Sequence, residues 1–552
     1  MREARPQVAD RSAWIVPPAH RNDLSTAHPQ RFSMNPLHDQ LVARRSRRRG
    51  SLMWLAPGLV TFAVLRIPAF LEPHWYTDEA GYVSVATSLL RGKVLYLQIW
   101  NNKPPLHLWT ITGVVGLFGP REAALHGLTF ISGALTVGAV YWAALRLFGA
   151  RRAAVAACAA GLVLGLPILD AELALPESLL IAPVSWAGAI LLVQLHRARP
   201  SSRAPMRWPI VVGLLLAIGV AYQQTVVAES CAFGLAIALS THTRVRDLAA
   251  YLAALIIPTA AWVGVTVAQA GGAKVAFALV GFYIPFTTSV FPGSKSGVAL
   301  HLAASLGALT LLVLGAYLCR RQAKPTWALM LWLGAALLVP AFARQPYAHY
   351  LTQTAAPAAL ALAALPLPRR ERIRSLQLRW LPQVAGVCIA AVMATVAGLD
   401  WIPPAAGSRT LGLYYGGAVA GVFDSERWLD WDNGFDYRVR ADEAVAAWLR
   451  HNQLTGRSTV VWSSDTWLYA LADLPVSMPT PPIYNDEVLL GQHGPVAEYV
   501  DGLRPDLLIV SDSDRRAFSE VNRLLDGALY ARAFISGPYT VWVRDGVLAP
   551  TP

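Results

Sequence analysis

The sequence predicts a polytopic α-helical membrane protein with about eleven transmembrane helices, followed by an extracytoplasmic α/β domain. Of its 552 residues, 55% are hydrophobic and 15% are charged, whereas soluble proteins carry about 25% charged residues. Repeated apolar runs long enough to cross a bilayer alternate with short arginine-rich segments, as in proteins with several spans. The predicted spans cover residues 51–71, 122–148, 153–169, 174–195, 209–223, 226–241, 248–269, 297–318, 325–343, 351–367 and 381–403.

The arginine-rich segments set the predicted orientation in the membrane. Basic residues concentrate in every second connection, as at 151–152, 197–207 and 369–374. Cytoplasmic loops of membrane proteins carry an excess of Lys and Arg, so the N-terminus is predicted to be cytoplasmic and the intervening loops to lie outside the cell. The net charge of +13 therefore reflects topology. Nucleic-acid binding is excluded as its explanation, because the cations form no stripe on a soluble domain.

Composition predicts three regions. Residues 1–50 are polar and end in an arginine run, which predicts a disordered basic cytoplasmic tail. Residues 51–403 form the predicted transmembrane domain, with a long outer loop over 72–121. Residues 404–552 are richer in charge and predict the outer domain. Its expected elements are strands at 458–462, 505–512 and 539–546 and a helix at 466–474.

Two helices are predicted inside the outer loop. Apolar residues recur at roughly helical spacing over 79–91 with polar residues between them, which is typical of a helix lying along the membrane surface. The segment 104–119 begins with two prolines, which suit a helix N-terminus. It is too short to span a bilayer comfortably, so we interpret it as a half-embedded helix.

The outer loop also carries the side chains best suited to chemistry. Asp78 and Glu79 are adjacent carboxylates beside the bilayer, where like charges repel and desolvation is costly. One of them could act as a general base toward a hydroxyl group, or Asp78 could simply be a helix N-cap. Lys103 precedes two prolines and suits an anionic headgroup, although a lysine that only reaches out of the lipid fits equally well.

Further polar residues are predicted at the same outer level. Asp170 and Glu172 end the third span, where they could contact substrate or a cation or form a plain connecting turn. Glu177 follows at the start of the next span, where a buried carboxylate is costly. A later loop brings together Arg344, His349 and Tyr350, which we interpret as a binding cluster. In the outer domain, the candidate stacking residues are Trp462, Trp467, Tyr469 and Tyr484, with a core position as the alternative for each.

The motif Asp78-Glu79, with Tyr82 three residues on and a later Lys103-Pro104-Pro105, resembles the first outer loop of the C superfamily of membrane glycosyltransferases (GT-C). The nearest resemblance is to the protein O-mannosyltransferase and lipid A aminoarabinose transferase branch, the glycosyltransferase family 39/83-like enzymes. This resemblance implies a fold with many spans and an outer soluble domain. It also implies an enzyme that takes sugar from a polyprenyl-phosphate-linked donor.

The resemblance also implies roles for individual residues. Asp78 would be the catalytic base, and Lys103 would bind the lipid phosphate. Glu79, Asp170 and Glu172 would lie in the substrate site, with Glu172 aligned less securely. His349 and Tyr350 would line the donor site, while Arg344 is added as a phosphate contact from its charge and level alone. No cofactor is implied with certainty, and a divalent cation is left open.

The predicted function is transfer of a hexose or pentose to an extracytoplasmic glycan, lipid or protein hydroxyl at the plasma membrane. Two alternatives remain: a transporter or flippase of lipid-linked saccharide, and a non-catalytic receptor that uses the outer domain. A transporter predicts charges at mid-membrane and repeat symmetry, whereas the polar residues here cluster at one face. The sequence names neither the sugar nor the acceptor.

Overall fold

The computed structural model describes residues 53–197, 207–240, 244–283, 295–320, 324–342, 347–364, 411–490 and 495–547. The predicted tail at 1–50, the span at 381–403 and the domain boundary near 404 lie outside these ranges. The membrane part is helical, with α1 (Ala56–Arg66), α2 (Thr77–Leu90), α3 (Pro105–Phe118), α4 (Glu122–Phe148), α5 (Ala150–Gly165), α6 (Pro176–Arg197), α7 (Arg207–Tyr222), α8 (Val227–Ser240), α9 (Arg244–Ala270), α10 (Gly272–Ala276), α11 (Lys295–Arg320), α12 (Lys324–Phe342) and α13 (Ala355–Ala364).

Short irregular helical segments link several of these helices. Segments of 3-10 helix occupy Pro68–Leu71, Gln224–Val226 and Ala348–Thr354, and a π-helical segment at Phe277–Gly281 continues α10. Wherever the structure describes a predicted span, a helix or a pair of helical segments occupies it. By length and composition, three of the described helices could cross a membrane, namely Glu122–Phe148, Pro176–Arg197 and Val245–Ala270. In the other described helices, the apolar stretches are 10–17 residues long.

The two helices expected in the outer loop are present as α2 and α3. Helix α3 has 14 residues and is about 21 Å long at 1.5 Å per residue, which is shorter than a hydrocarbon core of about 30 Å. Two prolines open it, and Pro104 and Pro105 need no hydrogen-bond partner for a backbone N–H there. Gly119 ends it with φ +77°, a conformation that glycine adopts without strain.

Small residues allow the first helix to pack closely on its neighbours. Helix α1 crosses α5 where Gly58 faces Gly161, so closely that a Cβ atom on Gly161 would lie 2.4 Å from the carbonyl oxygen of Gly58. On α4, a Cβ atom on Gly133 would lie 2.5 Å from the Phe62 ring. Between apolar helices in lipid, this close backbone approach is a main source of association. The crossing at Gly58 fixes the beginning of α1 against α5, and the contact of Phe62 fixes its middle against α4.

The outer domain is built on a four-stranded sheet with the order β1-β2-β4-β3. Strands β1 and β2 are parallel, and the β2–β4 and β4–β3 pairs are antiparallel. Its elements are α14 (Leu411–Phe423), α15 (Ser425–Asn433), α16 (Val439–His451), β1 (Thr459–Trp462), α17 (Trp467–Leu471), α18 (Ile483–Leu490), α19 (Pro495–Leu503), β2 (Leu507–Ser511), α20 (Asp512–Ala517), α21 (Val521–Leu525), β3 (Tyr530–Ser536) and β4 (Tyr539–Arg544).

The strands and the helix expected in this region are all present, and β3 is an addition. Strand β3 is mostly half-exposed or exposed. It pairs with β4, with a register shift between Arg532 and Phe534. That irregularity interrupts the period-two pattern that identifies strands in a sequence. The apolar helix α14 contacts the membrane part directly. The Tyr415 hydroxyl donates to the carbonyl oxygen of Leu65 in α1, at 3.1 Å.

Direct hydrogen bonds attach the outer loop to the outer domain. The guanidinium of Arg91 donates to the carbonyl oxygen of Leu474 and forms an ion pair of 2.6 Å with Asp473. The backbone N–H of Trp100 donates to the carbonyl oxygen of Pro479 at 2.7 Å. Loop and domain are thereby joined at two points of the segment between α2 and α3.

The glycine crossing yields a test of the helix packing. Replacing Gly161 by Ala forces a backbone shift between α1 and α5, and we expect it to lower the free energy of unfolding by about 1–3 kcal/mol. The same change at Gly264 is the control, since no atom lies within 4 Å of the added Cβ atom. Thermal unfolding in detergent measures both variants. Equal melting temperatures for Gly161→Ala and Gly264→Ala would contradict the close crossing.

Candidate active site

Asp78 lies in the first turn of α2 with its side chain half-buried. The helix begins at Thr77, and its N-cap is Tyr76 without a side-chain cap hydrogen bond, so Asp78 is not the N-cap. A carboxylate in the first turn is still favoured by the helix dipole. Among the residues that the structure describes, none donates a hydrogen bond to the Asp78 carboxylate, which leaves it available for a ligand.

The Glu79 side chain, unlike that of Asp78, is buried within the protein. Its side chain is 2% exposed, accepts a hydrogen bond of 2.7 Å from the backbone N–H of Ala174 and lies 3.7 Å from His126 Nε2. Successive residues of a helix point about 100° apart, which is why adjacent carboxylates face different surroundings here. Glu79 thus connects α2 to α4 and to the second outer loop at 166–175. Its predicted contact with substrate stays a prediction.

Glu172 is also buried, in an ion pair with a residue of the first helix. Its Oε2 atom lies 3.3 Å from Arg66 Nη1, and both side chains are 2% exposed. Arg66 Nη2 also donates to the carbonyl oxygen of Ala171 at 2.7 Å and to the Thr129 hydroxyl at 3.1 Å. A buried pair needs such additional hydrogen bonds to offset desolvation. The pair fixes the second outer loop against α1 and α4.

Asp170 lies in the same loop as Glu172 and contacts His349. Its backbone has φ +49°, a conformation that is unusual for a residue other than glycine. Its Oδ2 atom lies 3.4 Å from His349 Nδ1, while no described residue donates to its buried Oδ1 atom. Burial by itself would lower the pKa of His349, but Asp170, Glu177 and Asp78 raise it above the usual value. His349 and Asp170 therefore form a charge-assisted pair across two outer loops.

Lys103 lies at the end of the loop that leads into α3. Its backbone is fixed on both sides, because its N–H donates to Asn101 Oδ1 at 3.1 Å and its carbonyl oxygen accepts from the Tyr96 hydroxyl at 2.6 Å. Burial lowers the pKa of the Lys103 ammonium, but Tyr283, Glu177 and Asp78 together raise it above its ordinary value. The ammonium is therefore a permanent positive charge close to Asp78 and Glu177.

Glu177 is a further buried carboxylate of the site, at the start of α6. The side chain is 1% exposed, and Gln223 Nε2 donates to its Oε1 atom at 3.1 Å. The charge of Glu177 raises the pKa values of both Lys103 and His349. The sequence indicated Glu177 only through the cost of burying its charge. No sequence pattern indicated Gln223 as its partner.

Aromatic side chains form the walls around Asp78. Tyr347 stacks on His349 with ring centroids 5.2 Å apart, and Tyr350 meets the same imidazole edge-on at 4.6 Å. The outer domain contributes Tyr484, whose phenol is half-buried. Burial raises the pKa of Tyr484, and the charge of Asp78 raises it further. The other stacking candidates, Trp462, Trp467 and Tyr469, are completely buried and belong to the domain core.

The structure thus brings Asp170, His349 and Tyr350 into direct contact, and the charge of Asp78 raises the pKa values of Lys103, His349 and Tyr350. Arg344 lies outside the described residues, and its predicted phosphate contact stays a prediction. Within the described ranges, no group of three or more His, Cys, Asp or Glu side chains is close enough to hold a metal ion. The arrangement can place a carboxylate and an ammonium on either side of a bound molecule, inside an aromatic enclosure.

Comparisons with known proteins identify the fold. Residues 102–265 match the family model described as dolichyl-phosphate-mannose-protein mannosyltransferase. The crystal structure of ArnT from Cupriavidus metallidurans in the apo state matches with a TM-score of 0.57 at 16% identity, covering 92% of this chain and 100% of that chain. The chain has a GT-C fold. The GT-C resemblance expected from the outer loop is confirmed, as is a helical membrane protein with a small C-terminal sheet.

Two further GT-C structures match over most of their length. ArnT from Cupriavidus metallidurans bound to undecaprenyl phosphate has a TM-score of 0.55 at 16% identity, and the match covers 91% of this chain and 99% of that chain. The archaeal oligosaccharyltransferase AglB from Archaeoglobus fulgidus, in complex with an inhibitory peptide and a dolichol-phosphate, has a TM-score of 0.47 at 12% identity, with coverages of 91% and 75%. No curated protein matches the sequence.

The buried ion pair leads to a prediction about stability. Replacing Arg66 by Met leaves the Glu172 carboxylate buried without its cation, and we expect a loss of about 3–5 kcal/mol in the free energy of unfolding. The control is Arg427→Met, because the Arg427–Asp424 pair is exposed at 69% and 47% and such pairs contribute about 0–1 kcal/mol. Denaturation of both variants in detergent measures the difference. Similar losses would contradict a structural role of the Arg66–Glu172 pair.

Proposed function

We propose that this protein transfers a hexose or pentose from a polyprenyl-phosphate donor to an acceptor hydroxyl at the outer face of the plasma membrane. The proposal rests on one contrast between neighbouring carboxylates. Glu79, Glu172 and Glu177 are buried and hydrogen-bonded within the protein. Asp78 is half-buried and accepts no hydrogen bond from the described residues. A carboxylate kept accessible among occupied ones is suited to accept a proton from a substrate.

Lys103 supports the choice of a phosphate-linked donor. A polyprenyl phosphate is an anionic leaving group, so its departure is stabilised by a fixed cation more than by a general acid. The raised pKa of Lys103 keeps that cation charged at physiological pH. Among the similar structures, ArnT of Cupriavidus metallidurans is bound to undecaprenyl phosphate, which supports a donor of this class. The lipid tail would lie in the bilayer and the phosphate at the level of Lys103.

The proposed reaction is a single displacement at the anomeric carbon of the donor sugar. Asp78 takes the proton of the acceptor hydroxyl, and the freed oxygen forms a bond to the anomeric carbon. The bond from that carbon to the phosphate oxygen breaks at the same time, and its electron pair stays on the phosphate beside Lys103. Because attack and departure occur on opposite faces of the ring, the product has the inverted configuration.

The remaining elements of the proposal concern topology. We place the N-terminus in the cytoplasm, eleven spans in the membrane and the sheet-containing domain outside, following the distribution of Arg and Lys. With this orientation, α2 and the loops that carry Asp170 and His349 lie at the outer surface. The donor and the acceptor would then meet where the membrane domain contacts the outer domain.

Removing the negative charge of Asp78 tests the catalytic assignment. We expect Asp78→Asn to slow release of undecaprenyl phosphate about 10²–10⁴-fold, the usual contribution of a general base, because an amide cannot accept the proton. The assay uses proteoliposomes, a panel of undecaprenyl-phosphate-linked hexoses and pentoses, and envelope extract as acceptor. Asp526→Asn, an exposed aspartate of the outer domain, is the matched control. Full activity in Asp78→Asn would exclude Asp78 as the base.

Lys103 is tested separately by binding of undecaprenyl phosphate itself. We expect Lys103→Ala to weaken binding about tenfold or more, since a charge-assisted hydrogen bond contributes about 1.5–3 kcal/mol. Lys103→Arg should recover part of the affinity because the charge is kept. Lys274→Ala, which removes an exposed lysine, serves as the control and should bind normally. Unchanged affinity in Lys103→Ala would contradict the phosphate contact.

A further inference from the structure

A cluster of hydroxyl groups lies where the two parallel strands of the outer domain end. Ser463 and Ser464 follow β1, and Ser511 and Ser513 follow or end β2. The hydroxyls of Ser463, Ser464 and Ser513 donate to the same atom, Asp514 Oδ2, at 3.3, 3.4 and 3.4 Å. We call Ser464, Ser513 and Asp514 the hydroxyl edge. Ligands of open α/β sheets bind at this position, outside the carboxyl ends of parallel strands.

The hydroxyl edge is joined to the element that carries Asp78. The Ser84 hydroxyl on α2 donates to the carbonyl oxygen of Thr466 at 3.0 Å, just beyond β1. The backbone N–H of Ile483, at the start of α18, donates to the carbonyl oxygen of Ser463 at 3.2 Å. Tyr484 is the next residue of α18, so the helix turn that carries it begins beside Ser463.

The electrostatic surroundings of Tyr484 agree with these hydrogen bonds. Burial raises the pKa of its phenol, and the charges of Asp78 and Asp514 and the neighbouring Tyr347 raise it further. The Tyr484 phenol is therefore within the electrostatic influence of both the proposed base and Asp514 of the hydroxyl edge. Its ring is half-buried, which leaves part of one surface for a ligand.

The proposed reaction requires the acceptor on this side of Asp78. The donor phosphate is proposed to bind Lys103, in the loop that leads into α3, whereas the hydroxyl edge lies in the outer domain. A displacement with inversion needs the attacking hydroxyl on the face of the sugar opposite the phosphate. The attacking hydroxyl must therefore come from the side of Asp78 that faces the outer domain.

We propose that Tyr484 and the hydroxyl edge form the acceptor subsite and that the acceptor is a carbohydrate hydroxyl. This inference rests on the proposed transferase function. An aromatic ring beside a carboxylate and several hydroxyls suits a sugar, whose C–H face packs on the ring while its hydroxyl groups bind the polar atoms. The phenol ring supplies the apolar contact, and Ser464 and Ser513 supply groups that both donate and accept.

A peptide acceptor fits this part of the domain less well. Extended peptides bind commonly by adding a strand to an exposed sheet edge. The outer edge of β1 is already covered, because Thr459 bridges to Val476 and accepts a hydrogen bond from the backbone N–H of Ser477 at 3.3 Å. A sugar needs no such edge.

Binding of small glycosides tests the subsite directly. The full chain in nanodiscs is examined by saturation-transfer NMR with methyl α-mannoside, methyl β-galactoside, methyl β-N-acetylglucosaminide and the peptide acetyl-Ala-Thr-Ala-amide. We expect at least one glycoside to bind, with about a tenfold loss of signal in Tyr484→Ala, near-normal signal in Tyr484→Phe and a smaller loss in the Ser464→Ala/Ser513→Ala double variant. Tyr499→Ala, an exposed tyrosine of α19, is the matched control and should bind normally.

Three results would overturn the inference. They are absence of glycoside binding to the wild type, glycoside binding that persists in Tyr484→Ala, and Tyr484-dependent binding of the peptide. The proposed function fails in a different way, through wild-type levels of undecaprenyl phosphate release in Asp78→Asn. Glycoside binding that depends on Tyr484 in a protein without transfer activity would support the subsite and reject the transferase. Full transfer in Tyr484→Ala would reject the subsite alone.

Discussion

The site depends on the separation of five acidic side chains, Asp78, Glu79, Asp170, Glu172 and Glu177, at the starts of α2 and α6 and in the loop before α6. Carboxylates buried without partners cost several kcal/mol each, and like charges within a few ångström raise each other's pKa. Four of the five have partners within the protein: Glu172 pairs with Arg66, Glu79 with His126 and the N–H of Ala174, Glu177 with Gln223, and Asp170 with His349. Asp78 alone among the five accepts no hydrogen bond from the described residues. Its accessibility is a consequence of how its neighbours are held.

These same contacts join the outer loops to the membrane helices. Arg66 donates to the carbonyl oxygen of Ala171, Thr129 donates to that of Glu172, and Thr352 donates to that of Leu169. The second outer loop is therefore bound to α1, to α4 and to the segment that carries His349. The outer domain is fixed to α2 and the following loop by separate hydrogen bonds. These buried hydrogen bonds and ion pairs restrict the positions of the loops that surround Asp78.

The sequence was sufficient for the parts of this arrangement that follow from local patterns. Hydropathy located the described spans, and the spacing from Asp78 to Lys103 identified the outer loop and its superfamily. The partners were not predictable, because Arg66 lies at the end of an apolar run, where arginine commonly marks topology, and its acid is 106 residues away. In the sequence, Glu79 and Glu172 are acidic residues beside apolar runs, just as Asp78 is. Only the direction of each side chain in the structure distinguishes the buried carboxylates from the accessible one. Tyr484 was one of four aromatic candidates, and burial distinguished it from the other three.

The central claim is that an accessible Asp78 activates the acceptor for a single displacement at the donor sugar. The anomeric configuration of the product tests it most directly, measured by the one-bond carbon–hydrogen coupling at C1 in NMR spectra of donor and product. The account predicts a configuration opposite to that of the donor, because one attack occurs opposite the phosphate held at Lys103. A product with the donor's configuration would require two displacements and a covalent intermediate, and would contradict the role given to Asp78.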